Sequence, residues 1–170
     1  MLRAAQFDPK RGEGMKVIFL DVDGVMISEE SFLLTMALGG RMVFFSRKAM
    51  KALKKVVRQT GAVVVLTSSW RPMPGYGPTR SYEQFCTALQ RNGTPLHDRT
   101  PWLEDREHDR GDEIVTWMEE QQPEAWVIID DNDRFRSHPE LKERWVRIDP
   151  AHGFTSPDAD KAIAILEAQV

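Results

Sequence analysis

Three short runs of this chain are apolar at nearly every position, and each ends in oxygen-bearing side chains. Val17 to Leu20 runs into Asp21-Val22-Asp23-Gly24, Ala62 to Leu66 into Thr67-Ser68-Ser69-Trp70, and Ala125 to Ile129 into Asp130-Asp131. A run that short with no polar face reads as a strand buried on both sides. A fourth strand is predicted over residues 144–149 (RWVRID). Between the strands, apolar positions recur at helical spacing. Residues 46–60 place Ala49, Leu53, Val56 and Val57 on one face, with Ser46 as N-cap and Gly61 as the stop. Further helices are predicted over 81–91, ended by Asn92-Gly93, over 111–122, with Ile114, Val115 and Met118 inward, and over 157–169. Residues 28–46 read as a two-stranded flap or a small loop-helix, with a turn at Gly39-Gly40 and a short strand at Met42 to Phe45. Residues 71–80, dense in proline and glycine, are a loop. Residues 94–108 are irregular, with a short strand at Trp102-Leu103.

Buried strands that alternate with helices imply an α/β fold: a three-layer, Rossmann-like parallel sheet joined by right-handed crossovers. Such sheets bind ligands beyond the carboxyl ends of their strands. Here those ends read DVDG, TSSW and DDND. A sheet built only for stability has no reason to gather carboxylates there, because burying them is costly unless something pairs with them.

A length of 170 residues fits one domain, expected over residues 16–170. Residues 1–15 are polar, hold Pro9, Gly12 and Gly14, and read as a flexible N-terminal extension, with Met15 an alternative start. The net charge of −3 argues against a dedicated duplex-DNA binder but leaves room for a local basic patch. Cys86 is the only cysteine, which excludes an internal disulfide and a cysteine zinc cluster. Without a transmembrane-length apolar run or a signal-peptide core, no membrane is expected and cytoplasmic residence is the default.

The alternation of a strand puts Asp21 and Asp23 on one side, and Gly24 lets the backbone turn sharply. With Asp130 and Asp131 they form a carboxylate set that repels itself unless a hard cation sits between its members; magnesium fits, with Asp21, Asp23, Asp130 and Asp131 as candidate ligands. Asp21 is then a candidate nucleophile on a phosphate, and Asp23 its acid and base. Thr67, with Ser68 as the alternative, is a candidate hydrogen-bond donor to the transferred group. A fixed cation is still needed to hold that group. No lysine lies between Arg71 and Asp130, and Arg110, at the start of the helix before the third strand, is the choice.

These residues resemble the motifs of the haloacid dehalogenase-like (HAD) phosphohydrolase superfamily. Asp21-Val22-Asp23-Gly24-Val25 is similar to its first motif, Thr67 to the second, Arg110 to the basic third and Asp130-Asp131 to the acidic fourth. Val25 stands where many members carry threonine, and Arg110 where lysine is commoner. The resemblance covers the chain from Val17 onward. It implies an aspartyl-phosphate mechanism with magnesium, and the short connections imply a member with no large cap domain. RGDEIVTWM before VIIDD, and RIDPAHGFTSPDADKAI near the end, resemble the branch found in Swiss-army-knife RNA-repair proteins. That branch implies removal of phosphate from RNA or oligonucleotide ends, and an open site suits a macromolecular end. A small-metabolite or nucleotide phosphatase of the same superfamily, and a non-catalytic binding module, are the competing readings.

Trp70 and Arg71, with Ser68, are candidate substrate-binding residues, and Tyr76 is a candidate for stacking on a nucleotide. Arg80, Arg99 and Arg106 read as solvated loop arginines that would lend basic character to a rim. Asp133 reads as a turn or cap residue and His152-Gly153 as a plain turn. His97, His108 and His138 lack metal-ligand spacing and read as surface residues. Cys86 reads as a core thiol.

Overall fold

A computed structural model of the chain describes residues 14–103 and 109–170. Five strands form one sheet: β1 (Lys16–Leu20), β2 (Val63–Leu66), β3 (Leu96–Arg99), β4 (Ala125–Asp130) and β5 (Trp145–Arg147). Their order is β3-β2-β1-β4-β5, and every pairing is parallel. Among the described residues five α-helices connect and flank them: α1 (Glu29–Ala37), α2 (Arg47–Thr60), α3 (Arg80–Asn92), α4 (Arg110–Gln121) and α5 (Ser156–Glu167). The α/β reading holds, and no cap domain is inserted among the described residues. Between β1 and α2 stands only α1.

The alternation of side chains along β1 divides the core in two. Ile18 and Leu20 point to one face, with Ala49, Leu53 and Val56 of α2, Phe85 and Leu89 of α3, and Ala162 and Leu166 of α5. Val17 and Phe19 point to the other, with Ile114 and Trp117 of α4. The sheet is therefore the middle of three layers. In β2 and β4 the same alternation puts Val65 and Ile128 on the α4 face. The next in-phase residues are Asp21, Thr67 and Asp130, so all three share the face on which α4 begins.

The structure corrects four elements. Met42 to Phe45 and Trp102-Leu103 form no strand, and β3 lies instead at residues 96–99, within the stretch expected to be irregular. As an edge strand with largely exposed side chains it carries no apolar period. A 3₁₀ helix over Pro139–Arg144, not foreseen, precedes β5. Residues 28–46 resolve into α1, of the two alternatives left open. Met15 is tied down: its carbonyl accepts from the Glu124 amide at 2.9 Å. Residues 1–13 of the expected extension lie outside the described residues.

Arg71 proves to be a strut rather than a substrate ligand. Its side chain is 2% exposed, and its guanidinium donates to both Glu113 oxygens (3.0 and 2.8 Å), to the carbonyls of Ser68, Thr100 and Pro101, and to the Thr100 hydroxyl. Stacked over Trp102 at 4.4 Å, it joins the loop after β2, the end of β3 and α4. Breaking a buried pair from one side strands a charge. Glu113→Ala should therefore lower the unfolding free energy by about 3–5 kcal/mol, read as a shift of the urea midpoint, with the Arg71 donors as the cause.

Candidate active site

The backbone at the end of β1 sets the geometry. The Asp21 amide donates to the Ile129 carbonyl (3.0 Å) and the Thr67 amide to the Leu20 carbonyl (2.9 Å), so Thr67, Asp21 and Asp130 sit side by side across three strands. The chain then turns at Gly24, whose φ of +73° favours glycine. A Cβ there would lie 2.5 Å from Asp131 Oδ2, so the missing side chain is also what lets Asp131 approach. Gly153 plays a similar part from the loop after β5: a Cβ would lie 2.8 Å from the Val25 carbonyl.

Arg110 enters from the first turn of α4. Its Nη1 forms an ion pair with Asp21 Oδ1 at 3.0 Å and donates a hydrogen bond to Asp130 Oδ2 at 2.7 Å. All three side chains are almost wholly buried. The helix start is pinned by Asp109, whose carboxylate accepts from the amides of Gly111 and Asp112 in its own helix and from those of Arg136 and Ser137 in the loop after β4. That cap fixes where Arg110 can reach.

One guanidinium faces two carboxylates, and the titration of the group reflects it. Burial lowers Arg110, but the charges of Asp21 and Asp130 outweigh that, so its pKa is raised. Burial, then the charge of Asp21, pushes Asp130 up to about 6 despite its bond to Arg110. Arg110 is shared, so it neutralises neither carboxylate fully. Asp131 is raised by burial and by Asp21. Carboxylate oxygens of Asp21, Asp130 and Asp131 lie within 4.8 Å of one another. Three hard oxygen donors with excess negative charge fit a divalent cation. Asp23 stands outside that trio. Its Oδ2 accepts from Trp70 Nε1 at 2.9 Å. Desolvation, Asp21 and Asp131 raise its pKa, against the lowering effect of Trp70.

A cleft of about 480 Å³ opens over these groups, lined by Asp21, Asp23, Ser69, Arg110 and Asp131 together with Asn132, Arg134, Ile27, Phe32 and Leu33. Thr67 is fully buried and does not line it, and its hydroxyl has no hydrogen-bond partner among the described residues. Ser68 is buried as well, its Oγ accepting from the Trp70 amide (3.5 Å); Ser69, not Ser68, reaches the cleft. Trp70 packs with Phe45 and Phe85 and meets the site only through Asp23. Arg71 is turned away, as described. Tyr76, Arg80, Arg99, His97, His152 and Cys86 do not line the cleft. Arg106 and His108 lie outside the described residues. His138 bridges Asp112 and Glu140, and Asp133 pairs with Lys142. Among the lining residues missed from the sequence are Ile27, Glu29, Phe32, Leu33, Ser69, Asn132 and Arg134; Ser69 and Asn132 fall within the strand ends TSSW and DDND, and only the path of the chain brings in the rest.

Comparison with protein families matches residues 17–159 to the HAD domain in Swiss Army Knife RNA repair proteins. The chain belongs to that family. It is thus a HAD-type phosphatase. A comparison with curated proteins gives no significant match. One crystal structure aligns with a TM-score of 0.46 at 11% identity, over 92% of this chain and 84% of that one. No helix among the described residues is long and apolar enough to cross a membrane.

Two outcomes test the geometry. Gly24→Ala should weaken divalent-cation binding about ten- to a hundredfold by calorimetry, because the new methyl displaces Asp131. Gly75→Ala, strained at φ +77° but with open space around it, should leave that affinity unchanged. Cation binding should also respond to pH. A raised carboxyl must release its proton to ligate, so below pH about 6, the value for Asp130, the association constant should fall about tenfold per pH unit. Above that pH it should level off.

Proposed function

We propose that the protein is a magnesium-dependent phosphohydrolase that works through an aspartyl-phosphate on Asp21 and removes phosphate from nucleic-acid ends, RNA above all. The observation that carries the reading is the placement of Asp21: held by Arg110 through Oδ1, it keeps its second oxygen without a protein partner among the described residues, beside the cleft. Asp21, Asp130 and Asp131 would hold the magnesium ion, which when bound supplies screening between the phosphate and the carboxylates.

The steps follow from the chain's own groups. Asp21 attacks phosphorus, and the bond from phosphorus to the leaving oxygen breaks as Asp23 gives that oxygen its proton. Asp23, now a carboxylate, takes a proton from water. The water oxygen attacks phosphorus, the bond to Asp21 breaks, and inorganic phosphate leaves. The hydroxyl of Thr67, unpartnered among the described residues, donates to the phosphoryl oxygens as they change geometry. Arg110 keeps Asp21 from rotating away. The family's link to RNA repair and the open, capless cleft support a strand end as substrate.

With magnesium, wild-type protein should release phosphate from an oligoribonucleotide phosphorylated at its 3′ or 5′ end, and chelation should abolish release. Asp21→Asn should lower turnover at least about a thousandfold. Wild-type turnover no better than Asp21→Asn would sink the reading. Faster hydrolysis of sugar phosphates or mononucleotides than of either strand would move it to a metabolite phosphatase.

A further inference from the structure

Helix α1 is built inside out. Its buried positions are Ser31 and Thr35, both 8% exposed, while Phe32 (54%), Leu33 (66%) and Met36 (58%) face outward. The hydroxyls are satisfied locally: Ser31 donates to the Ser28 carbonyl, and Thr35 donates to the Ser31 carbonyl and accepts from the Phe44 amide. A surface helix ordinarily turns its apolar stripe to the core. Single exposed apolar residues are unremarkable, but a cluster beside a polar site marks a binding surface.

The cluster is continuous with the reaction centre. Phe32, Leu33 and Ile27 line the same cleft as Asp21 and Asp131, whereas Met36 does not. Glu29, in the first turn of α1, lines the cleft too, so its carboxylate disfavours a second phosphate beside the helix and leaves that wall to an uncharged group. On the loop after β4, Arg134 also lines the cleft and makes no ion pair among the described residues. The cleft therefore offers an aromatic surface for something flat and neutral and a cation for something anionic. A nucleoside within a strand has both parts, and base–aromatic stacking needs no particular base.

We propose that α1 is the wall on which the leaving group lies: Phe32, backed by Leu33 and Ile27, stacks on the base of the terminal nucleoside, and Arg134 takes the next phosphate of the strand. This deepens the phosphohydrolase reading and rests on it. Phe32 is a specificity-determining residue here, and the substrate class is a strand that ends in a base-bearing nucleotide.

The test compares an end-phosphorylated oligoribonucleotide with the same strand carrying an abasic terminal residue. Wild type should favour the base-bearing strand in kcat/KM. Phe32→Ala and Phe32→Leu should cut that preference about tenfold, and Phe32→Trp should keep it. Arg134→Gln should raise KM for both strands. Met36→Ser, on the outward face but away from the cleft, should keep the preference. A preference that survives in Phe32→Ala overturns the proposal. So does a loss in Met36→Ser as large as in Phe32→Ala, which would mark the helix as a docking face for a protein. If wild type hydrolyses neither strand, the phosphohydrolase reading fails by itself. The wall is then read by anisotropy of a labelled, unphosphorylated oligoribonucleotide: weaker binding by Phe32→Ala supports it, and equal Kd values overturn it.

Discussion

The structure turns on a charge imbalance: one guanidinium lies between two buried carboxylates, with two more carboxylates close by. Sheet register makes the imbalance unavoidable. Once β2, β1 and β4 pair in parallel at Leu66, Leu20 and Ile129, the residues that follow must share a face and an edge. Arg110 relieves the repulsion only in part, and burial together with the charge of Asp21 still raises the pKa of Asp130. Much of what surrounds the site serves to keep that single cation in place. Asp109 fixes the first turn of α4 to the loop after β4. Glu113, one turn further along α4, anchors Arg71 and through it the loop after β2. The remaining negative charge fits the centre to the divalent ion proposed above rather than to a closed ion-pair network.

The parts of the fold visible in the sequence are those where burial is complete. The strands β1, β2 and β4 are apolar on both faces, so they announce themselves without a period, and their ends place Asp21, Thr67 and Asp130 by counting alone. Where burial is one-sided or reversed, the pattern fails. The edge strand β3, Leu-His-Asp-Arg, buries little, and its Asp98 is held by Trp117 from α4. In α1 the inward residues are hydroxyls and the outward ones apolar, the opposite of what a helical stripe signals. Arginines show the same limit. Arg71 and Arg110 both follow or precede a strand end, and both are buried. Whether each faces the cleft or the core depends on how its loop turns, which no spacing encodes. Nor does composition separate Ser68 from Ser69, since one residue of backbone rotation decides which reaches solvent.

Asp23 shows how the two layers of the molecule act on one group. In the proposed mechanism it must hold a proton for the leaving oxygen and then accept one from water, so its carboxyl has to be both raised in pKa and fixed in place. These demands conflict. Desolvation and the charges of Asp21 and Asp131 raise it, while the Trp70 indole, the donor that holds it, lowers it. An indole N–H is a neutral donor, so it fixes the carboxyl at a smaller cost in acidity than a lysine or arginine would impose. Its ring is locked in turn by Phe45 and Phe85 on the far face of the sheet. Arg110 therefore governs Asp21 from the α4 side, and the aromatic cluster governs Asp23 from the other. The proposed nucleophile and its proposed acid, two residues apart in sequence, are positioned by opposite layers of the fold.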